Sequence, residues 1–365
     1  MGNAAGRALP YTAGAPVTGF LQGPGVGVWT AVFDGAPSSP AASDAQSAPG
    51  QVHHAKVAIF RFDKRARPGD LPLAQNAMRR LKMLRHPYVL RFVDGGETDE
   101  ALLMVTETAT PLRAWLAASR PGPDAPPAAT ADFDAACVWG VYTLVTALNF
   151  LASIDVVHGA VSPDAVWVTR GGDWKLAGFE LAFDASAGGG ASGFPDRGFI
   201  DADASSCGGG GPCPEAAKAP ERASKDWAAA AAAHPSAMDA WGLGVTLVEV
   251  WDGGPPLRSV SDVKTAAAGL LASKGGAGGG GVPAALRAPL TRLLTAAPKT
   301  RPTFAAVLSG AAAYFGHPLV GALLFIDELA LKDPADKTRF FKSLPGERWE
   351  GRCLRHGVTH GSNSS

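Results

Sequence analysis

Paired cysteines, an excess of charge and long apolar runs are all missing from this sequence of 365 residues. The four cysteines form no C-x-x-C pair and show no His/Cys ligand spacing, so neither a zinc site nor a redox dithiol is expected. Cys207 and Cys213 bracket a glycine run and are candidates for a disulfide, although free thiols in a cytosolic loop are the favoured interpretation. A formal net charge of zero gives no indication of a nucleic-acid partner. No apolar run approaches the roughly 18 residues of a membrane span, so no transmembrane segment is expected, and no secretory signal is recognisable.

The N terminus carries one ambiguous signal. The sequence MGNAA begins like an N-myristoylation site with Gly2 as the acceptor, but Gly6 stands where Ser or Thr is preferred. An ordinary disordered start is the alternative interpretation. A single myristoyl chain would give reversible contact with a membrane.

Glycine and proline are abundant, and they cluster. Four segments have the low complexity of surface loops and are expected to be disordered insertions: residues 36–50, 120–130, 185–218 and 275–281. A hydrophobic content of 46% is nevertheless enough to bury a sizeable core, so the remainder is expected to be globular.

The first third of the chain is rich in predicted strands. Residues 27–33, 56–62 and 101–106 are β-rich, and residues 71–84 place apolar side chains at helical spacing. The remainder is mostly helical, with a long amphipathic helix predicted over residues 133–153 and an apolar helix over residues 237–251. Only two short strands, residues 166–168 and 174–176, are predicted there. The pattern predicts an α+β fold with two lobes, joined by a hinge near residues 107–110.

The chemistry of the chain is indicated by the sequence HGAVSPDAVWVTRGGDWKLAGFE, which begins at His158. Its layout is that of the protein-kinase catalytic loop, H-R-D-L-x-x-x-N, followed by the metal-binding D-F-G loop. Gly159 stands for the Arg, Ala160 for the catalytic Asp, Ala165 for the Asn and Gly178 for the metal-binding Asp. The scaffold is therefore predicted to be kept without its chemistry.

These replacements remove both the base and the metal ligands. Ala160 cannot accept the proton of a substrate hydroxyl, and such a base contributes roughly 10²–10⁴ in rate. Ala165 and Gly178 cannot ligate Mg²⁺, which otherwise neutralises the phosphates. Asp164 and Glu180 lie one or two positions from the missing carboxylates and are candidates to hold a displaced metal. The simpler interpretation is that Asp164 is a solvated loop residue and Glu180 a surface charge.

The strand that carries the phosphate-binding lysine in kinases is also altered. Residues 57–60 match V-A-I-K except at the last position, which is Phe60. Because side chains alternate along a strand, Ala58 and Phe60 are predicted to face the cleft, with an apolar ring where a cation should meet the phosphates. The carboxylate partner on the following helix is lost as well, since Ala77 occupies its position.

Some features of a nucleotide cleft remain. Residues 23–28 fall one residue short of G-x-G-x-x-G-x-V, and Pro24 has no N–H for phosphate, so an ordinary turn explains this run equally well. The segment LMVTET is interpreted as a strand entering a hinge, with Thr106 at the gatekeeper position. A residual nucleotide cleft would be formed by Val28, Ala58, Thr106, Glu107 and Thr108.

The structural motifs of the kinase fold are intact. Ala-Pro-Glu ending at Glu221 matches A-P-E, and Arg301 lies where kinases keep an arginine. The segment DAWGLG from Asp239 matches the D-x-W-S-L-G opening of a central helix. The kinase fold implies that Glu221 and Arg301 form a buried ion pair, and that Asp239 holds the backbone of the catalytic loop.

Residues 17–343 thus resemble a protein kinase, and the particular losses resemble the Scy-like pseudokinases, also called N-terminal kinase-like proteins. The segments that carry this resemblance are WKLAGFE, residues 174–180, and GHPLVGALLFIDELALKDPADKTRFFKSLP, residues 316–345. The resemblance implies a flexible N-terminal segment, two lobes, a helical extension leading toward a HEAT-repeat region, and a disordered tail. The corresponding boundaries are 1–16, 17–108, 109–315, 316–345 and 346–365. Because the chain ends soon after Pro345, the HEAT-repeat region is expected to be missing.

The function that the resemblance implies is a cytoplasmic scaffold in vesicle traffic, peripheral to Golgi and endosomal membranes, that binds coat components. Mg²⁺ is not expected, and no cofactor is required, although the hinge leaves ATP binding open. Two alternatives remain open. One is a weak protein Ser/Thr kinase that uses Asp164 or Glu180, and the other is an ATP-binding switch without phosphoryl transfer.

Overall fold

The computed structural model of the chain describes residues 9–17, 28–38, 56–122, 124–185, 211–273 and 281–343. The predictions for Gly2, for the glycine-rich run 23–27, for Cys207 and for the tail 346–365 concern residues outside these ranges. The same holds for residues 39–50, 186–210 and 275–280 of the predicted insertions. Most of the insertion 120–130 is described, and its residues 127–130 begin a helix, so the prediction of disorder was wrong there.

The first lobe is an antiparallel sheet of five strands in the order β1-β2-β3-β5-β4. The strands are β1 Tyr11–Pro16, β2 Ala31–Pro37, β3 Val57–Asp63, β4 Phe92–Glu97 and β5 Ala101–Thr106. Alternation along β3 separates two apolar clusters. Ala58 and Phe60 join the main core that also contains helix α1, Leu71–Met83, whereas Val57 and Ile59 join a smaller cluster on the opposite face of the sheet.

The N-terminal boundary of this lobe differs from the prediction. Tyr11–Pro16 pairs with β2, with Tyr11 opposite Pro37 and Ala13 opposite Gly35, so the prediction of a flexible segment through residue 16 was wrong for these residues. The strand predicted over residues 27–33 begins later, at Ala31. Because β1 is almost entirely exposed, it has no alternation of apolar and polar side chains that would reveal a strand.

The second lobe is mainly helical, and its described residues also form five short strands. Its helices are α2 Leu112–Ser119, α3 Pro127–Ser153, α4 Pro220–Ala223, α5 Trp227–Ala231, α6 Ala237–Asp252, α7 Val260–Ala272, α8 Ala284–Leu293, α9 Phe304–Gly310, α10 Ala312–Phe315, α11 Pro318–Asp327 and α12 Pro334–Ser343. Its strands are β6 Thr110–Pro111, β7 Val156–Val157, β8 Val166–Val168, β9 Trp174–Leu176 and β10 Phe183–Asp184, paired as β6-β8-β9 and β10-β7. The α+β fold with two lobes is therefore confirmed.

Helix α3 is the central element of the second lobe. Five consecutive residues, 137–141, are buried, which a helix with a single apolar face cannot achieve, so the prediction of an amphipathic helix was wrong. Within the described residues, α3 has the length and composition to cross a membrane, but 61% of its most apolar window is buried among the other elements. No long apolar run is evident in its sequence because Thr143, Thr146 and Asn149 interrupt it. Its burial is that of a core helix.

Candidate functional site

Three aromatic rings meet where the sheet of the first lobe faces the second. Phe60 on β3 lies edge-to-face with Trp29, with ring centroids 5.8 Å apart at 73°, and with Trp167 on β8, at 5.1 Å and 60°. All three side chains are buried. The position of the phosphate-binding lysine is thus occupied by part of an apolar cluster contributed by both lobes.

Helix α1 contacts the loop after β9 through an amide in place of an ion pair. Ala77 is buried and lines the cleft. Its neighbour Asn76 places Nδ2 at 3.2, 3.0 and 2.9 Å from the carbonyl oxygens of Phe179, Glu180 and Ala182. No role for Asn76 follows from the sequence, in which it is simply a polar residue beside the missing carboxylate.

A second contact holds the same helix against β10. Arg80 donates from Nη1 and Nη2 to the two carboxylate oxygens of Asp184, at 2.6 and 3.0 Å. These hydrogen bonds hold the pKa of Asp184 below its ordinary value. Helix α1 is therefore fixed to the segment that follows β9 although the Lys–Glu pair is lost.

The replaced residues of the catalytic loop lie side by side in the cleft. Ala160, Ala165 and Gly178 all line it. Gly159 and Gly178 both have a φ of +76°, a backbone conformation that strongly favours glycine. A Cβ on Gly159 would lie 2.9 Å from the carbonyl oxygen of Leu181, so this glycine fits a backbone that an arginine could not adopt without a shift.

Asp239 at the start of α6 holds the backbone of this loop. Its carboxylate accepts from the backbone N–H of His158 at 2.7 Å and from that of Gly159 at 2.8 Å. Burial raises the pKa of Asp239 to about 6, and these two donors oppose the rise. The geometry is the one that the kinase fold implied.

His158 is held as a neutral ring. Its Nε2 lies 2.7 Å from the carbonyl oxygen of Ala177, and since a carbonyl only accepts, Nε2 carries the proton. Burial lowers the pKa of His158 to about 4. Its Nδ1 accepts from the backbone N–H of Ala160 at 3.2 Å, so the ring ties together two segments of the cleft floor.

Glu221 and Arg301 are in direct contact beneath these loops. Nη1 and Nη2 of Arg301 donate to Oε1 and Oε2 of Glu221, both at 2.7 Å, and both side chains are almost fully buried. Arg301 also donates to the carbonyl oxygen of Ala237 at 2.9 Å and lies over the ring of Trp241. This arrangement is structural, because neither charge faces the cleft.

Asp164 is an ion-paired residue, so its interpretation as a solvated loop residue was wrong. Nε of Arg113, on α2, donates to Oδ1 of Asp164 at 2.8 Å, and Nη2 donates to Oδ2 at 3.3 Å. The same guanidinium contacts Glu249 on α6. Because both oxygens of Asp164 serve the arginine, they are poor candidates for a displaced metal.

Glu180 is buried, so its interpretation as a surface charge was also wrong. Nε1 of Trp29 donates to its Oε1 at 2.9 Å, and burial raises the pKa of the carboxyl above its ordinary value. Among the described residues, no group of three or more His, Cys, Asp or Glu side chains is arranged to hold a metal ion.

At the hinge, several polar groups of Thr106 and Glu107 are already engaged in hydrogen bonds within the protein. Thr106 is fully buried and donates from Oγ1 to the carbonyl oxygen of Glu107 at 3.0 Å. The backbone N–H of Glu107 donates to the carbonyl oxygen of Arg91 at 3.0 Å, and Oε1 of Glu107 accepts from the backbone N–H of Arg91 at 2.9 Å. Val28 and Ala58 are packed into the main core, while Thr108 remains half-buried at the hinge.

The space that remains in the cleft is small. It amounts to about 50 Å³, enough for a few water molecules at roughly 10–15 Å³ each. Of the residues that the structure describes, the ionisable ones that line it are Asp164 and Glu180, both acidic. In a kinase, by contrast, a lysine and metal ions meet the phosphates here.

Comparison with known proteins adds independent information. A probable inactive serine/threonine-protein kinase, scy1 of Dictyostelium discoideum, is 25% identical over 341 residues, which cover 93% of this chain and 35% of the relative. A mouse protein described as associating with the carboxyl-terminal domain of ezrin is 26% identical over 269 residues, 73% of this chain and 30% of its own length. The protein kinase domain-containing protein ppk3 of Schizosaccharomyces pombe is 24% identical over 127 residues, 35% of this chain and 18% of its own. No protein-family model matches the chain.

These similarities confirm the resemblance to the Scy-like pseudokinases along nearly the whole chain. The description of the first relative as inactive agrees with the favoured interpretation, which leans against an enzyme and leaves a weak kinase as the alternative. The chain spans about a third of the length of the Dictyostelium and mouse relatives and less of the yeast protein.

Proposed function

We propose that this chain is a catalytically inactive kinase-like domain that acts as a protein-interaction scaffold in vesicle traffic at Golgi and endosomal membranes. The observation that carries the inactive part is the cluster of Trp29, Phe60 and Trp167 in the cleft. A triphosphate would have to displace buried aromatic rings from this position, and none of the described residues that line the cleft offers a cation in exchange.

Charge supports the same conclusion. Among the described residues, Asp164 and Glu180 line the cleft with their carboxyl groups, and no basic side chain does. A nucleotide triphosphate is itself anionic, and like charges at short range in a buried site repel strongly. We therefore propose that the domain functions without ATP and without Mg²⁺.

The interaction part of the proposal is supported by the C-terminal helices. Five large apolar side chains are exposed in the described part of the chain, and three of them, Ile326, Leu331 and Phe341, lie on α11, α12 and the turn between them. The two helices are held together by stacked rings of Phe325 and Phe340, with centroids 4.1 Å apart. Apolar side chains exposed on two helices that pack together offer a candidate surface for contact with another protein.

The identity of the partner rests on resemblance. Scy-like proteins are associated with coat components, and the mouse relative is described as a partner of the carboxyl-terminal domain of ezrin. We propose a protein partner of the first kind, a vesicle coat component, and peripheral membrane association. N-myristoylation of Gly2 would strengthen that association.

Two assays test the proposal. The purified domain, incubated with ATP labelled at the γ-phosphate, should label neither itself nor a general kinase substrate.

In cells, the tagged chain should fractionate with Golgi and endosomal membranes and co-purify with coat components, and Leu331→Asp should reduce that co-purification severalfold. Met83→Asp is the matched control, because Met83 is similarly exposed but lies on helix α1. Labelling by the wild type would contradict the proposed inactivity. Equal co-purification of both variants and the wild type would contradict the proposed interaction surface.

A further inference from the structure

The small cavity in the cleft has aromatic walls and an acidic group. The rings of Trp29, Phe60 and Trp167 meet at steep angles of 73° and 60°, so they form adjacent walls and do not stack. Glu180 also lines the cavity, and its residue is only 4% exposed. A buried carboxylate between aromatic walls is an unusual feature for an apolar core.

The carboxylate of Glu180 has hydrogen-bond donors but no positively charged partner among the described residues. It accepts from Nε1 of Trp29 at 2.9 Å and interacts with its own backbone N–H. No lysine, arginine or histidine of the described residues pairs with it, whereas Asp164, which lines the same cavity, is paired with Arg113. Burial of an ionised carboxylate is costly, which is why burial raises the pKa of Glu180, and a cation bound beside it would offset that cost.

The residues that line the cavity favour an organic cation over a metal ion. A divalent metal needs several oxygen, nitrogen or sulfur ligands, and no suitable group of three such side chains exists among the described residues. Aromatic faces instead attract organic cations such as ammonium groups, most strongly when the site is desolvated. The volume of about 50 Å³ corresponds to a few water molecules, which fits an ammonium head with one or two carbons.

We propose that this cavity binds a primary ammonium group, with Glu180 as its counter-ion and the rings of Trp29, Phe60 and Trp167 as its walls. The cleft thus has the opposite charge preference from a phosphate site. The ammonium group belongs either to a free small amine or to the lysine side chain of a protein that reaches into the cleft. This site does not depend on the scaffold function proposed above.

The probe is methylammonium, titrated into the purified chain at constant ionic strength. Since two tryptophans line the cavity, tryptophan fluorescence reports binding directly, and calorimetry gives the affinity. Methanol, which has the same number of non-hydrogen atoms and no charge, is the control ligand. The wild type should bind methylammonium saturably and should not bind methanol.

Two substitutions isolate the counter-ion. Glu180→Gln keeps an oxygen that can accept from Trp29 but removes the charge, so methylammonium affinity should fall at least about tenfold, as expected for a hydrogen bond to a charged group. Asp173→Asn is the matched control, because Asp173 accepts from Nε1 of Trp139 at the same 2.9 Å but does not line the cavity. Its affinity should equal that of the wild type. Circular dichroism verifies that both variants are folded.

Each result of these titrations either supports the ammonium site or overturns it. The proposal is overturned by absence of saturable methylammonium binding to the wild type, by equal binding of methanol, or by wild-type affinity in folded Glu180→Gln. If methylammonium binds, an acetylated tripeptide with central lysine is compared with the same peptide containing norleucine. Tighter binding of the lysine peptide identifies a protein side chain as the ligand, and binding of methylammonium alone identifies a free amine.

Discussion

At the scale of single residues, Phe60 illustrates how one substitution changes a site in concert with its surroundings. Its ring contacts Trp29 from the first lobe and Trp167 from the second, so the lysine position has become part of the core. The sequence was sufficient to predict that Phe60 faces the cleft, since strand parity decides this. It was insufficient for Trp29, Asn76 and Glu180, because their contacts join residues more than a hundred positions apart.

Restoring the lysine alone should not restore chemistry. In Phe60→Lys, the positions of the base and of both metal ligands would still be Ala160, Ala165 and Gly178, and Ala77 would offer the new lysine no carboxylate. We expect no transfer from ATP labelled at the γ-phosphate, to the chain itself or to an added substrate. Phosphoryl transfer by this single variant, absent from Phe60→Leu, would contradict the account.

The buried histidine should make stability depend on pH. Because burial lowers the pKa of His158 to about 4 from an ordinary 6.5, the unfolded chain binds a proton between these values and the folded chain does not. The stabilisation that His158 contributes above pH 6.5 should therefore decrease as the pH falls toward 4, by about 3 kcal/mol in the free energy of unfolding.

The contribution of His158 has to be separated from that of carboxyl groups whose pKa burial raises, which include Asp134, Glu180, Asp239 and Glu249. The pKa values of Asp134 and Asp239 are raised to about 6, so these groups favour the folded state at low pH and lose that effect as the pH rises through 6. Urea unfolding of the wild type and of His158→Gln, between pH 7 and 4, isolates the histidine as the difference in slope. Parallel curves for the two proteins would refute the prediction.

The ion pair of Glu221 and Arg301 should be important for stability. Arg301→Ala leaves a buried carboxylate without its partner, which costs roughly 3–5 kcal/mol. The control is Arg339→Ala, which breaks an exposed pair with Asp336 at 3.1 Å and should cost less than about 1 kcal/mol. Urea unfolding measures both, and a similar small loss in the two variants would show that the buried pair is not structural.

At the scale of elements, the sequence predicted best those strands whose limits depend on their own residues, and it predicted worst those whose form depends on distant contacts. Strands β5, β8 and β9 were placed to the residue because each is a short β-rich run with clear ends. Strand β1 was missed because its residues are small and exposed, and it exists through pairing with β2. Helix α3 was predicted too short and too polar on one side, because its burial on all sides depends on the surrounding helices.

The contact between helix α1 and the loop after β9 is the element-level replacement for the lost Lys–Glu pair. Asn76→Ala removes the amide that reaches the carbonyl oxygens of Phe179, Glu180 and Ala182, and leaving such buried groups unsatisfied costs roughly 1–3 kcal/mol. Hydrogen exchange of residues 179–182 should accelerate in this variant. Gln75→Ala, one position earlier and exposed, should leave exchange unchanged. Unaltered exchange in Asn76→Ala would contradict the proposed role.

At the scale of the whole molecule, the two lobes share one apolar core. Residues of the sheet lobe, such as Phe60 and Leu81, belong to the same buried cluster as Leu148 of helix α3. A further link joins Tyr88 to Asp327 at the end of α11, with the hydroxyl 3.3 Å from the carboxylate. The sequence predicted the two lobes from their composition. It could not predict that side chains fill the cleft between them, since that depends on how the lobes pack.

The absence of nucleotide binding is the central claim, and thermal melting tests it most directly. The chain is heated with ATP, with ATP and Mg²⁺, and alone, at nucleotide concentrations where a site filled at 100 times Kd would add about 2.7 kcal/mol of stability. With its cleft occupied by Trp29, Phe60 and Trp167, the chain should melt at the same temperature in all three. A rise that requires Mg²⁺ would restore the kinase interpretation, and a rise with ATP alone would establish a nucleotide-binding switch.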